Sequence, residues 1–475
     1  MSFFIEKSML ASRFLFCLIA ISILVLIVSS LYLVQFADNS FIVNTNNSSL
    51  YSTSCLESKI PFSPLNITSF EENAKSHNTT SFEASNSISN SRGYICDTKQ
   101  ALLRVYMYDL PPEFHFGLLG WKGNGKEMWP DVDMQGHVPS YPGALNLQHS
   151  VEYWLTLDLL SSNITRPCTS IRVKNSSEAD VVFVPFFSSL SYNRHSRPPR
   201  KGKVSINRIL QDKVVEFLRS RHEWKINGGV DHVIVAHHPN SMLVARKKLN
   251  SAMFVLADFG RYRTKIANIE KDVIAPYKHI VKTLDANNSP SFEQRHILVY
   301  FQGAIYRKSG GAIRLVLYNL LKNEKDVHFT FGSVKSNGVR EAGRGMASSK
   351  FCLNIVGDTP SSNRLFDAIS SHCIPVIISD DIELPFEDVL DYSKFCIFIR
   401  SSYAVRKGYL LNFLRGIKED QWIKMWKRLK EFTKHFEYQY PSQPNDAVDM
   451  IWQAIARKLS FMQLKAHRHN RYRTS

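Results

Sequence analysis

Two short stretches carry side chains suited to holding a diphosphate. In the first, residues 350–386 (KFCLNIVGDTPSSNRLFDAISSHCIPVIISDDIELPF), an apolar run at 351–356 stops at Gly357-Asp358 and leads into Pro360-Ser361-Ser362. An amphipathic segment at 363–371 and a second apolar run at 374–378 follow. Strand, loop, helix, strand is the order of one βαβ unit, whose ligands bind beyond the carboxyl ends of the strands. Ser361 or Ser362 can cap the helix, and the backbone N–H groups left free at that end favour an anion. Arg364 and Asp367 are three residues apart and share one helix face. The guanidinium suits a phosphate, and the carboxylate suits the two hydroxyls of a ribose. The same spacing also lets the two pair with each other on a surface helix. As a ligand site, the stretch is half of a nucleotide-sugar pocket.

The second stretch, FQGAIYRKSGG at 301–311, places Arg307 and Lys308 between Gly303, at a strand end, and Gly310-Gly311, at a helix start. Glycines admit a phosphate close to the backbone, and the cations neutralise it. A tight turn with solvated basic residues is the plainer alternative. The loop lacks both the G-K-[ST] of a P-loop and the G-x-G-x-x-G of a dinucleotide site, which argues against a nucleotide-dependent dehydrogenase.

Moving a sugar off a nucleoside diphosphate also requires a group that takes the proton of the attacking hydroxyl. Asp109, His115, His149, His237 and His238 are the candidates in the first half of the chain, with Asp109, His149 and His237 as the catalytic set. Each also has an ordinary role open to it, as turn former, core histidine or surface donor. Asp131-Val132-Asp133 has the D-x-D form of a metal motif but sits in a Pro/Gly-rich loop, not at the end of an apolar strand. It reads as solvated acids, so no metal and no other cofactor is expected.

Strand-like runs at 102–108, 181–184, 232–235 and 253–256, with helical segments at 149–160 and 206–217, give a first α/β domain over 101–290. The grammar restarts at His296. Strands at 297–301, 327–331, 351–356, 374–378 and 396–399 and a helix at 312–321 give a second over 291–435. Helical segments at 420–435 and 445–459 follow, the last within a C-terminal helix and basic tail at 436–475. Two Rossmann-like domains facing a cleft form the arrangement called GT-B.

The 475 residues carry a formal net charge of +17. The basic residues are scattered apart from runs at 194–203 and 465–473, and no nucleic-acid-binding motif accompanies them, so nucleic acid is not an expected partner. Residues 14–34 are uncharged and long enough to span a bilayer, with Lys7 and Arg13 before them and Asp38 after. The expectation is a cytosolic tail (1–13), a transmembrane signal anchor (14–34) and a Ser/Asn/Thr-rich lumenal stem (35–100). N-x-S/T triplets at Asn46, Asn47, Asn66, Asn78, Asn163, Asn175 and Asn287 are compatible with a lumenal side. Of the seven cysteines, Cys17 lies in the anchor, while Cys55, Cys96, Cys168, Cys352, Cys373 and Cys396 could pair in an oxidising lumen. Cys352, Cys373 and Cys396 fall in or near core strands and are expected as buried thiols.

The segment SSNRLFDAISSHCIPVIISDDIELPFEDVLDYSKF closely resembles the signature of the exostosin-like glycosyltransferases, in particular their plant branch of arabinosyltransferases of the arabinan-deficient type. VYMYDLPPEFHFGLLGW, YPGALNLQHSVEYWLTLDLL, ADVVFVPFFSSLSYNRH and HILVYFQGAIYRKSGGAIR extend the resemblance over roughly residues 102–435. It implies the two-domain GT-B fold. It also implies an inverting, metal-independent transfer from a UDP-sugar, with arabinofuranose and pectic arabinan as sugar and acceptor, at the Golgi membrane as a single-pass type II protein. By that resemblance Gly303, Arg307, Ser361, Ser362, Arg364 and Asp367 hold the donor. Relatives often carry a His-Asp pair where this chain has His237-His238, a departure that leaves the base open. A partner-dependent or non-catalytic subunit of a glycosyltransferase complex, self-association, and the same fold acting on xyloglucan or xylan are the other readings.

Overall fold

Every strand pairing among the described residues is parallel, and the eleven strands divide into two sheets. The structure, a computed structural model, describes residues 99–471 other than 124, 126, 134, 162–164, 201, 261, 308 and 333–336. The expected tail and anchor, and the stem but for its last two residues, lie outside the described residues. Among those described, no helix is long and apolar enough to cross a membrane.

The first sheet has the order β2-β1-β3-β4-β5-β6. Its strands are β1 (Leu103–Met107), β2 (Ser170–Val173), β3 (Val181–Val184), β4 (His232–Val235), β5 (Met253–Leu256) and β6 (Val273–Ile274). The central strands VVFV, HVIV and MFVL are buried at every residue. Parallel strands covered on both faces read as unbroken apolar runs, which is why they stand out in the sequence. The two edge strands do not: β2 is SIRV, and β6 has only two residues.

The second sheet has the order β11-β10-β9-β7-β8. Its strands are β7 (Ile297–Gly303), β8 (Val327–Phe331), β9 (Ser349–Ile355), β10 (Ile374–Ile378) and β11 (Ile397–Phe398). Helices occupy several of the crossovers, such as Val151–Leu160 between β1 and β2 and Ile313–Leu321 between β7 and β8. The helix Ile206–Ser220 shows the local logic: Ser205 accepts from the N–H of Arg208 at 3.2 Å as its cap, and Leu210, Val214, Val215 and Leu218 form one buried stripe.

The last helix, Ala447–Asn470, packs back against the first domain. Trp452 Nε1 donates to Asp158 Oδ2 at 2.9 Å, and Thr169 donates to Asp449. Asp158 also accepts from Ser170 Oγ at 3.1 Å and Arg166 Nη1 at 3.2 Å. The chain's final element is thus tied to the helix Val151–Leu160 and the start of β2.

The cysteine expectation is corrected for two residues. Cys352 and Cys373 form a disulfide, while Cys396 remains a free buried thiol that burial pushes well up. Cys168 is disulfide-bonded as well. The register Phe351↔Ile374 aligns β9 with β10 and holds the Cys352 and Cys373 Cα atoms 5.8 Å apart, within bonding range. Burial was readable in the sequence, but adjacency in a parallel pair was not. With the two cysteines 21 positions apart in the sequence, reducing this bond is expected to cost about 3 kcal/mol of stability. Denaturant unfolding of Cys352→Ala/Cys373→Ala beside the wild type measures it, and an unchanged midpoint would refute it.

Candidate active site

The carboxyl ends of both sheets open on one cavity of about 410 Å³. The first domain contributes His238, Pro239 and Asn240 after β4, Tyr277, Ile280 and Val281 after β6, and His149 ahead of the helix Val151–Leu160. The second contributes Gln302–Ala304 at the end of β7, Gly332 after β8, and Gly357–Arg364 between β9 and the helix Arg364–Ser370.

One wall is cationic. Arg364 opens its helix; its Nε donates to the Gln302 carbonyl at 3.1 Å and its Nη1 to Ser362 Oγ at 2.8 Å. The guanidinium lies directly against Gly303, where a Cβ would come within 2.4 Å of Nε. Only glycine admits that approach. Burial lowers Arg364 to about 10, so it stays protonated at neutral pH. Arg307 is half-exposed at the mouth, its Nη1 2.7 Å from Asp358 Oδ2. Lys308 lies outside the described residues.

A third arginine was not singled out from the sequence. Arg314 is buried and donates to the carbonyls of Ala304 (3.1 Å), Ile355 (2.6 Å) and Val356 (3.0 Å), binding the loop after β7 to that after β9. Burial, with Arg364 and Arg307 nearby, pushes it down to about 9. The available signal was positional. Arg314 and Arg364 both occupy the first turn of a helix, where the backbone dipole disfavours a cation unless an anion is shared.

Asp367 and Ser361 line the cavity, and each also bonds the first domain. Asp367 is buried, and its carboxylate faces the chain. Oδ1 accepts from the N–H groups of Ile280 (2.8 Å) and Val281 (3.3 Å), and Oδ2 from Asn363 Nδ2 (2.7 Å). Burial raises its pKa against these donors. Arg364 and Asp367 do not form the ion pair with each other that the spacing alone allowed. Ser361 Oγ donates across the cleft to Asp258 Oδ2 at 2.5 Å, with the Tyr277 hydroxyl 3.2 Å away. Ser361 and Asp367 therefore fasten the two domains together, while Ser362 accepts from Arg364.

The opposite wall is a histidine cluster. His149, His237, His238 and Tyr277 pack ring against ring, with centroid separations of 4.6 Å (His149–His238), 5.0 Å (His149–Tyr277) and 4.9 Å (His237–Tyr277). His237 Nε2 lies 3.1 Å from the Ala275 carbonyl, which can only accept, so Nε2 carries a proton. Burial lowers His237 to about 3, so its ring is neutral and Nδ1 is bare. His149 Nδ1, 3.0 Å from that atom, must then be the donor. Burial, with His237 and His238 beside it, also holds His149 well below the usual histidine range. His149 is thereby fixed with Nδ1 protonated and Nε2 as its acceptor, in a residue that lines the cavity.

Asp109 is not brought into this group. It is exposed, accepting from Trp129 Nε1 at 2.9 Å and Arg172 Nη2 at 2.9 Å. His115 is a core residue bonded to the Leu110 carbonyl and stacked on Trp129. Asp131 accepts from the N–H of Asp133, closing a turn. Tyr277, Asp258 and Gln302 belong to the cleft and had no distinguishing local pattern.

Two parallel Rossmann-like sheets thus share one cleft, with arginines on one wall and histidines on the other. The chain belongs to the exostosin GT47 glycosyltransferase family, whose domain model matches residues 99–414. "Probable arabinosyltransferase ARAD1" of Arabidopsis thaliana is 39% identical over 378 residues, covering 78% of this chain and 82% of that protein. "Probable beta-1,4-xylosyltransferase IRX10L" of the same plant is 25% identical over 391 residues, covering 78% and 86%. A crystal structure of Anabaena HepE in complex with UDP and glucose is similar at a TM-score of 0.34 and 11% identity, covering 75% of this chain and 99% of that one. That likeness is too slight to bear on the site.

The depressed His237 has a consequence for stability. Its folded value of about 3 lies below the unfolded value of about 6.5, so as pH falls the unfolded chain binds the proton first. Stability is constant above pH ~6.5 and is lost as pH falls from there toward 3, by about 2 kcal/mol at pH 5 for this one group. Unfolding of the wild type and His237→Gln at pH 7 and pH 5 checks this. Equal losses in the two proteins would remove His237 as the source.

Proposed function

We propose that the protein is an inverting glycosyltransferase that moves arabinofuranose from a UDP-sugar to a pectic arabinan chain, without a metal, on the lumenal side of the Golgi membrane. The observation that carries the reading is the opposition, across one cavity, of the Arg307–Arg314–Arg364 wall and the bare Nε2 of His149. In this reading His149 Nε2 takes the proton of an acceptor hydroxyl as its oxygen attacks the anomeric carbon. The bond from that carbon to the diphosphate breaks on the opposite face, and its electron pair stays on the leaving oxygen. Arg307 and Arg364 meet the charge that develops there, aided by the N-terminus of the helix Arg364–Ser370. Arg314 positions the two loops that bear them. Ser361 and Asp367 keep the donor and acceptor domains in register.

The choice of sugar is supported by the 39% identity to a relative named as a probable arabinosyltransferase. The Cys352–Cys373 disulfide supports an oxidising lumen, in keeping with the apolar run at 14–34 and the N-x-S/T triplets.

The test is transfer by the purified full-length protein to arabino-oligosaccharides from a panel of UDP-sugars, with and without EDTA. Transfer from UDP-arabinofuranose that persists in EDTA is expected, while a preference for UDP-xylose would move the acceptor class to xylan or xyloglucan. His149→Ala is expected to lower kcat by roughly 10²–10⁴ while leaving UDP affinity intact. Arg364→Ala is expected to weaken UDP binding by about tenfold or more. Undiminished kcat in His149→Ala would remove it as the base.

A further inference from the structure

The cavity has a third side that neither the arginines nor the histidines occupy. Tyr300 and Gln302 are two residues apart on β7, so their side chains leave the same face of the sheet. The helix Gly338–Ala347 lies over that face. Its Gly345 rests on the Tyr300 ring, where a Cβ would come within 2.3 Å of Cε2, and its Met346 packs beside Tyr300 in a small buried cluster. The Tyr300 hydroxyl donates to Gln302 Oε1. A primary amide held through its oxygen turns its NH₂ the other way. Among the described residues no partner is recorded for that nitrogen, and Gln302 lines the cavity together with Val339, Ala342, Met346, Ile280 and Val281. The slot therefore has apolar walls and one fixed hydrogen-bond donor. The main-chain carbonyl of the same Gln302 holds Arg364 Nε at 3.1 Å, so the donor sits beside the diphosphate wall.

We propose that this slot takes the base of the donor nucleotide and that Gln302 reads it, its Nε2–H donating to a ring carbonyl of uracil. The proposal rests on the reading of the cleft as a nucleoside-diphosphate-sugar site. Uracil presents carbonyl oxygens at both exocyclic positions. Cytosine presents an amine at one of them, which would meet the amide donor to donor, and adenine presents only an amine. The cavity of about 410 Å³ must also hold the ribose, the diphosphate and the sugar, which favours a single-ring base. Tyr300 acts as a positioning residue. Without its hydroxyl the amide is free to turn over and offer its oxygen instead, which would suit cytosine as well as the nitrogen suits uracil.

Calorimetric titration of the full-length protein with UDP, CDP, GDP and inorganic pyrophosphate tests this. The wild type is expected to bind UDP about tenfold more tightly than CDP, the worth of one hydrogen bond gained and one donor clash avoided. Gln302→Leu is expected to lose about tenfold for UDP and leave pyrophosphate affinity unchanged, which also shows that the variant is folded. Tyr300→Phe is expected to weaken UDP and strengthen CDP, bringing their ratio toward one. An unaltered UDP-to-CDP ratio in Gln302→Leu, with pyrophosphate still bound, would overturn the role of Gln302. GDP binding as tight as UDP would overturn the uracil assignment. Should the wild type bind neither nucleotide nor pyrophosphate, the donor-site reading itself fails and the base assignment falls with it.

Discussion

The contact between Arg364 and Gly303 sets the geometry of the cleft. A guanidinium is placed where a helix begins and a strand ends, and it can lie there only because residue 303 has no side chain. From that position it bonds the Gln302 carbonyl and Ser362, so the ends of β7 and β9 are held at a fixed separation. Arg314 repeats the device one layer deeper, bonding the same two loops through three carbonyls. Arg314 is buried and Arg364 half-buried at the cavity, and desolvation lowers Arg364 to about 10 and Arg314 to about 9 without neutralising either at pH 7. A positive wall in a desolvated setting is the condition under which fixed charge acts most strongly on a developing anion.

That wall matters only if the other domain stays opposite it, and the joints between the domains are polar. Asp367 takes two backbone N–H groups from the segment after β6, and Ser361 reaches Asp258. Farther along, Glu437 accepts from His279 at 2.6 Å and from Thr283, with Lys278 3.6 Å away. Burial would raise Glu437, but these partners hold it at about 2. The Tyr438 hydroxyl adds a bond to the Pro276 carbonyl at 2.6 Å. Directional bonds of this kind fix an orientation, which hydrophobic contact by itself does not.

On the facing wall, a single backbone carbonyl determines the state of two histidines. Ala275 can only accept, so it fixes the tautomer of His237, and His237 fixes that of His149. The ring that meets the cavity is thereby oriented without a carboxylate. This is consistent with the departure from the His-Asp pair at positions 237–238, because the neighbour at 238 is not the residue that orients the ring. The relay works only while both rings are neutral, and burial keeps them so.

Much of the architecture was legible in the sequence because it is local. Unbroken apolar runs such as VVFV and MFVL mark parallel strands covered on both faces, and glycine, serine and arginine at strand ends mark loops that face an anion. Arg307, Ser362 and Arg364, which line the cavity, stand in loops of that kind. What spacing could not supply was the partner of each polar group. Asp367 meets Ile280 across 87 residues, His149 meets His237 across 88, and Ser361 meets Asp258 across 103. Periodicity reports burial and face, but not which segment lies opposite. For that reason the bonds of Asp367 to the segment after β6, the surface position of Asp109 and the pairing of Cys352 with Cys373 were not legible. The sequence by itself determined two parallel α/β domains and the chemical types at their strand ends. Only the tertiary structure decided which of those groups face the cavity and which are consumed in holding it together, because that division depends on contacts between segments far apart in the chain.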